Sequence, residues 1–128
     1  MPKRIGIAVV EHGDRFLIGT RGPDSPLPGY AEFPGGKCFP DESPQDCAVR
    51  ESLEETGLAI TVERLLLRRE YTYPHAVVDL HFYLCHPATG ADVAEDHLGF
   101  RWVPRSELPR LKLPEANAPV VELLLHPY

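Results

Sequence analysis

The stretch Gly36-Lys37-Cys38-Phe39-Pro40-Asp41-Glu42-Ser43-Pro44-Gln45-Asp46-Cys47-Ala48-Val49-Arg50-Glu51-Ser52-Leu53-Glu54-Glu55-Thr56-Gly57-Leu58 encodes a helix with both ends marked. Ser43 offers a hydroxyl N-cap, Pro44 suits the first helical position, and Asp46 places a carboxylate near the positive end of the helix dipole. Gly57 supplies the stop. On a helix spanning residues 44 to 56, Glu51, Glu54 and Glu55 fall within an arc of about 100°. Val49 and Leu53 fall on the opposite side, the face expected to pack. An isolated run of this kind is usually a solvated acidic face. Yet Glu51 and Glu55, one turn apart, repel each other by about a few tenths of a kcal/mol unless positive charge lies between them. A row of hard oxygen donors suits Mg²⁺ or Mn²⁺ and not zinc.

The preceding segment, Glu32-Phe33-Pro34-Gly35-Gly36-Lys37, brings paired glycines beside the acids, where backbone groups can approach a ligand closely. Together the two segments fit the pattern G-x5-E-x7-R-E-U-x-E-E-x-G-U, with Gly36, Glu42, Arg50, Glu51, Glu54, Glu55, Gly57 and Leu58 in place. On these residues the chain resembles the Nudix hydrolases. One departure is Ser52, where the family pattern usually carries an aliphatic residue, a change expected to loosen packing under the helix without touching a carboxylate.

The resemblance implies an α+β fold, the Nudix α/β/α sandwich with a mixed central sheet and a catalytic loop-helix-loop. It also implies hydrolysis of a nucleoside diphosphate linked to another moiety. Metal ligands would be Glu51, Glu54, Glu55 and the carbonyl of Gly35, with Mg²⁺ the cofactor and Mn²⁺ a substitute. Arg50 would orient a carboxylate, with Glu54 one turn away, and Glu42 would support Arg50. Glu51 is favoured as the general base; Glu95 or Asp96, in the loop before Trp102, is the alternative as base or further ligand.

Outward from the helix, the sequence reads as strands. Ile5, Ile7 and Val9, a turn at His12-Gly13-Asp14 and then Arg15 to Ile18 form a hairpin pattern. Gly22 to Gly36 is broken by prolines and glycines into a long loop with at most a short strand near Glu32-Phe33. Loops of this length are usually functional. Strands are expected over Leu58–Leu67 and Val77–Cys85, the latter with Val78, Leu80, Phe82 and Leu84 on one face and Asp79, His81 and Tyr83 on the other. Trp102-Val103 suggests a further short strand, and Ala118 to Leu125 a terminal helix with Val120, Val121, Leu124 and Leu125 turned inward. Residues 1–128 are expected to form a single domain.

The charge balance excludes other classes. A formal net charge of −6 argues against a nucleic-acid duplex as partner. No apolar run reaches the length of a membrane span, and Met1-Pro2-Lys3-Arg4 leads into strand-like sequence without a signal-peptide core, so a cytoplasmic protein is expected. Cys38, Cys47 and Cys85 lack thiolate zinc spacing and read as reduced thiols, and the six histidines show no ligand pattern.

The resemblance extends to the MutT branch, which removes oxidised guanine nucleotides from the precursor pool. It rests on Ile18-Gly19-Thr20-Arg21, on Glu32 to Lys37, and on Pro114-Glu115-Ala116-Asn117-Ala118-Pro119-Val120. It implies that Asn117 reads the oxidised purine, since an amide donates and accepts at once. Asn117 also stands where an N-cap of the terminal helix would stand. Arg21 would hold the nucleotide, a phosphate among its possible partners. Phe33 would wall or stack on the base, and Glu32, Pro34 and Gly35 would complete the nucleotide site. The expected partner is a small nucleotide, 8-oxo-dGTP first, bound by a monomer or homodimer. CTP, a nucleoside diphosphate sugar, or nucleotide binding without catalysis are the alternatives.

Overall fold

The alternation of Ile5, Ile7 and Val9 becomes β1 (Lys3–His12), which turns at Gly13 into β2 (Arg15–Thr20). This is the first element of a computed structural model that describes residues 2–126. The chain continues with β3 (Ala31–Glu32), β4 (Gly35–Lys37), α1 (Pro44–Thr56), β5 (Ile60–Tyr73), β6 (Ala76–Pro87), β7 (Asp96–His97), β8 (Phe100–Pro104) and α2 (Ala118–Leu125), with short 3-10 turns at Arg105–Arg110 and Glu115–Asn117. Strand order is β5-β6-β1-β2-β8-β7, with β3 on β2 and β4 on β1. β1 and β6 run parallel while the other pairs are antiparallel, so the sheet is mixed.

Each sheet face buries its own core. Val9, Phe16, Ile18 and Phe82 pack with Leu108, Val120 and Leu124 beneath α2. Ala8, Val10, Leu17, Tyr83 and Trp102 pack with Ala48 and Leu58 beneath α1. This is a helix, sheet, helix sandwich. On β6, Val78 and Leu80 join the first core, whereas His81 and Tyr83 are buried on the opposite face rather than facing solvent. Of the residues expected to turn inward on α2, Val120 and Leu124 are buried, while Val121 and Leu125 are only partly covered.

Three sequence expectations are corrected. β5 and β6 are longer than Leu58–Leu67 and Val77–Cys85, because pairing continues from Ile60↔Pro87 to Tyr73↔Ala76 through register shifts near Val62/Arg64 and Leu65/Leu67. β5 lies at the sheet edge, where charged residues such as Arg68 and Glu70 blunt further pairing, and these charges hide the strand in the sequence. Gly35 and Gly36 are a strand, not loop, because without side chains they can lie against β1: a Cβ on Gly35 would stand 2.6 Å from the Gly6 carbonyl oxygen.

The third correction concerns α1. Leu53 is 52% exposed, and the face turned to the sheet is Cys47, Ala48, Ser52 and Thr56. Small residues on this face match a close approach to β1, where a Cβ on Gly6 would lie 2.5 Å from the Pro44 carbonyl and 2.8 Å from the Ala48 nitrogen. Ser52 is therefore fully buried, and it extends the helix stop: Thr56 Oγ1 donates to the Ser52 carbonyl at 2.6 Å and accepts from Leu58 N at 3.1 Å. Ser43 Oγ accepts from Asp46 N at 3.1 Å, a cap worth about 1 kcal/mol, and Gly57 ends the helix at φ 73.

Candidate active site

α1 is held at a fixed height by Gly6 and at a fixed rotation by its small inward residues, and this directs Arg50, Glu51, Glu54 and Glu55 away from the core. Arg50 organises the group. Its Nε and Nη2 donate to the two oxygens of Glu42 at 2.7 and 2.9 Å, and Nη1 donates to Glu51 Oε1 at 3.0 Å and Glu54 Oε2 at 3.0 Å. Nη2 also reaches the Lys37 carbonyl at 3.1 Å, and the guanidinium lies 4.0 Å from the Phe39 ring centre. The Arg50 hydrogen bonds, first, and the Phe39 amide hold the Glu42 carboxyl down to about 2, although burial opposes them. Glu42 thus stays ionised as a fixed brace.

β4 brings the glycines against these acids. Residues that exchange backbone bonds alternate along an antiparallel pair, and Ala8 N donates to the Pro34 carbonyl while Cys38 N donates to that of Arg4. Gly35 lies between, so its amide and carbonyl both face away from β1. The amide donates to Glu55 Oε1 at 2.8 Å. At Gly36 a Cβ would meet the Glu51 carboxylate carbon at 2.5 Å, so only glycine lets Glu51 rest there. Burial raises the Glu55 carboxyl to about 7; the Gly35 amide opposes this, and Glu32, Glu51 and Glu54 add to it by repulsion.

A cleft of about 540 Å³ opens beside Glu55 and is lined by Gly35, Gly36, Glu32, Phe33, Arg21 and Asn117. Arg21 Nε donates to the Pro26 carbonyl at 2.6 Å, and its Nη1 stands 3.8 Å from Glu32 Oε1. Burial raises the pKa of Glu32 while Arg21 lowers it. Phe33 is only 5% exposed and belongs to the core under α2; Pro34 is fully buried. Asn117 is buried, and its Nδ2 donates to the Pro114 carbonyl at 3.2 Å. Its side chain makes no capping bond to α2, because the preceding 3-10 turn already places Asn117 in a helical conformation at φ −86 and ψ −9.

The cleft has walls that the sequence reading left out. Tyr73 and His75, stacked at 5.1 Å with a 19° tilt, reach it from the β5–β6 turn, and Ile5, Ile7 and Val78 line it from the sheet. Alternation in β1 marks Ile5 and Ile7 as sharing a face, but their exposure to a cleft has no local sequence signal. Glu95 is exposed and 3.9 Å from Arg15, and Asp96 Oδ2 accepts from Gly99 N at 3.4 Å; neither lines the cleft.

The acids form no finished cation cage among the described residues. Glu51 and Glu54 lean on Arg50 and Glu55 leans on Gly35. The donor set nevertheless suits a hard divalent cation: carboxylate oxygens in mutual repulsion, a backbone carbonyl facing away from β1, and no thiolate or imidazole.

The chain matches the NUDIX domain family over residues 6–123. A CTP pyrophosphohydrolase of Escherichia coli K12 is 29% identical over 118 residues, covering 92% of this chain and 87% of that protein. An 8-oxo-dGTP diphosphatase of the same organism is 31% identical over 120 residues, covering 94% and 92%. The crystal structure of a MutT NUDIX hydrolase from Burkholderia pseudomallei has a TM-score of 0.78 and 25% identity, covering 95% of this chain and 97% of that one.

Proposed function

The chain belongs to the Nudix family of phosphoanhydride hydrolases, whose members use a divalent metal, and from that premise we propose that it cleaves nucleoside triphosphates to the monophosphate and pyrophosphate, with 8-oxo-dGTP preferred. One observation carries the reading: Glu55 and Gly35 of the acidic site and Asn117 of the purine-reading segment line the same cleft.

The recognition chemistry follows from the atoms. Guanine presents N7 and O6 as acceptors, whereas oxidation at C8 converts N7 into a donor. Asn117 Oδ1 can accept from that new N–H, and the second hydrogen on Nδ2 remains for O6, since Pro114 takes only one. Arg21 holds a phosphate or sugar oxygen once the nucleotide competes for its weak contact with Glu32.

Glu51, Glu54, Glu55 and the Gly35 carbonyl would hold Mg²⁺, with Mn²⁺ able to substitute. The chemistry supplied by such a cation when bound is neutralisation of the pyrophosphate and acidification of the attacking water. Arg50 keeps Glu51 and Glu54 in place, and Glu51, whose Oε2 is left free by the Arg50 bond to Oε1, accepts the proton of the water. Positioning and charge do most of the work.

A nucleotide panel with Mg²⁺, assayed for pyrophosphate release, tests the reading. The reading expects 8-oxo-dGTP to be turned over faster than dGTP, CTP or a nucleoside diphosphate sugar. CTP as the best substrate would overturn the preference and leave the chemistry. Tight nucleotide binding without turnover of any member would overturn the chemistry.

A further inference from the structure

The groups that grip Arg50 on the side away from the acids come chiefly from the end of β4 and the irregular stretch that joins it to α1: the Lys37 carbonyl, the Phe39 ring and the Glu42 carboxylate. This stretch has few internal bonds, chiefly Glu42 N to the Phe39 carbonyl at 3.1 Å and Phe39 N to Glu42 Oε1 at 3.1 Å. Three of its carbonyls instead converge on one side chain. Arg4 Nη1 donates to the Glu42 carbonyl at 2.8 Å, and Nη2 donates to those of Phe39 at 2.7 Å and Pro40 at 3.2 Å. The backbone of Arg4 takes part too, its carbonyl accepting from Cys38 N at 2.9 Å.

We propose that Arg4 is a positioning residue for hydrolysis: by clasping the Phe39–Glu42 turn it holds Glu42 where that carboxylate keeps Arg50 on Glu51 and Glu54. Arg4 sits on β1, the strand against which α1 packs through Gly6, so the turn and the helix share one reference. Without it, Arg50 loses a fixed Glu42 and keeps the single Lys37 carbonyl beside Glu51 and Glu54, the acids that it is there to place. A guanidinium suits the task because its fork can meet several carbonyls at once, whereas an ammonium is a single point. The inference rests on the roles given above to Glu51 and Glu54.

The test uses the full chain with Arg4→Met, which keeps the aliphatic stem, and Arg4→Lys, which keeps charge and fewer contacts. In the absence of metal and nucleotide, exchange of the Arg50 Nε–H followed by ¹⁵N NMR should accelerate about tenfold in Arg4→Met, and less in Arg4→Lys. With 8-oxo-dGTP and Mg²⁺, kcat should fall about tenfold while KM stays within about twofold, with partial rescue by lysine. In a Glu42→Gln background the Arg4→Met change should add less than about twofold, since both act through one contact. Unchanged Arg50 exchange, or losses that multiply in the double variant, would overturn the proposal. If Arg4→Met does not fold, Arg4→Lys decides alone: partial loss of Arg50 protection with a lowered kcat supports it, and wild-type behaviour in both overturns it. If the wild type turns over no nucleotide, the functional reading fails, and the exchange measurement still decides the role of Arg4.

Discussion

Arg50 and Glu42 are joined twice, Nε to Oε2 at 2.7 Å and Nη2 to Oε1 at 2.9 Å, which leaves Nη1 as the nitrogen that meets Glu51 and Glu54. The first pair sets the plane of the guanidinium, and the plane sets where the two acids are held. Glu42→Gln should therefore lower kcat by about 10- to 100-fold, in the range found for partners that orient a site's ligands, with KM little changed. Steady-state kinetics on the folded variant checks this.

The same pair has a pH signature. The folded Glu42 carboxyl titrates at about 2, below the value of about 4.3 that it has in an unfolded chain. Its contribution to stability is present above the unfolded value and is lost as pH falls from there through about 2. The gap in melting temperature between wild type and Glu42→Gln should accordingly be constant above about pH 5 and close as the pH is lowered toward 2. Calorimetric scans over that range measure it.

Glu54→Gln and Glu55→Gln should each lower pyrophosphate release by about 10²-fold or more, since each removes a charge needed at the site of reaction. Chelation should abolish wild-type turnover, and Mg²⁺ or Mn²⁺ should restore it. Retention of full activity by the doubly substituted protein would remove the metal-helix mechanism.

Asn117→Ala should lower the ratio of 8-oxo-dGTP to dGTP turnover by about tenfold, as expected for losing one or two hydrogen bonds that discriminate between bases. Its effect on stability should be near 1 kcal/mol, because the side chain holds one bond to the Pro114 carbonyl and does not cap α2. An unchanged ratio would deprive the oxidised-purine reading of its main support.

Gly6→Ala should destabilise the protein by about 1–3 kcal/mol, since the added methyl meets backbone atoms of α1 that cannot rotate away. Activity should fall along with stability, because α1 would be lifted from the strand that also carries the β4 glycines. Thermal melts and kinetics on the same preparation show whether the two losses travel together.

What could be read from the sequence was whatever local chemistry specifies. Ser43, Pro44 and Gly57 mark the ends of α1 through bonds made within a few residues, and the helix runs between them. Its rotation was not readable. Apolarity pointed to Leu53 as the packing residue, but the close approach to Gly6 selects Ser52 and Ala48, a preference set by a strand far away in the chain. The acids and Arg50 were visible as a spacing, and the family resemblance added Glu42 as a support for Arg50. The contribution of Arg4 was not, since its three carbonyl partners lie more than thirty positions away and a carbonyl has no sequence signature. His75 escaped for a similar reason: beside Tyr73, it reaches the cleft only because β5 and β6 extend beyond the charged residues that obscure them.

The parallel pairing of β1 with β6, from Lys3↔Val78 to Val10↔Cys85, has a consequence for the order of assembly. β1 precedes every other element described above, yet its long neighbour in the sheet follows it by more than sixty residues and is followed in turn by β7, β8 and α2. A pairing so distant in sequence must close a large loop of chain before it returns any contact, and such closures are slow. Until then α1 has only the short β1–β2 hairpin and β4 on which to rest. α1 also packs on β5 and β6, so the acidic helix gains its full support only once the middle of the sheet is complete.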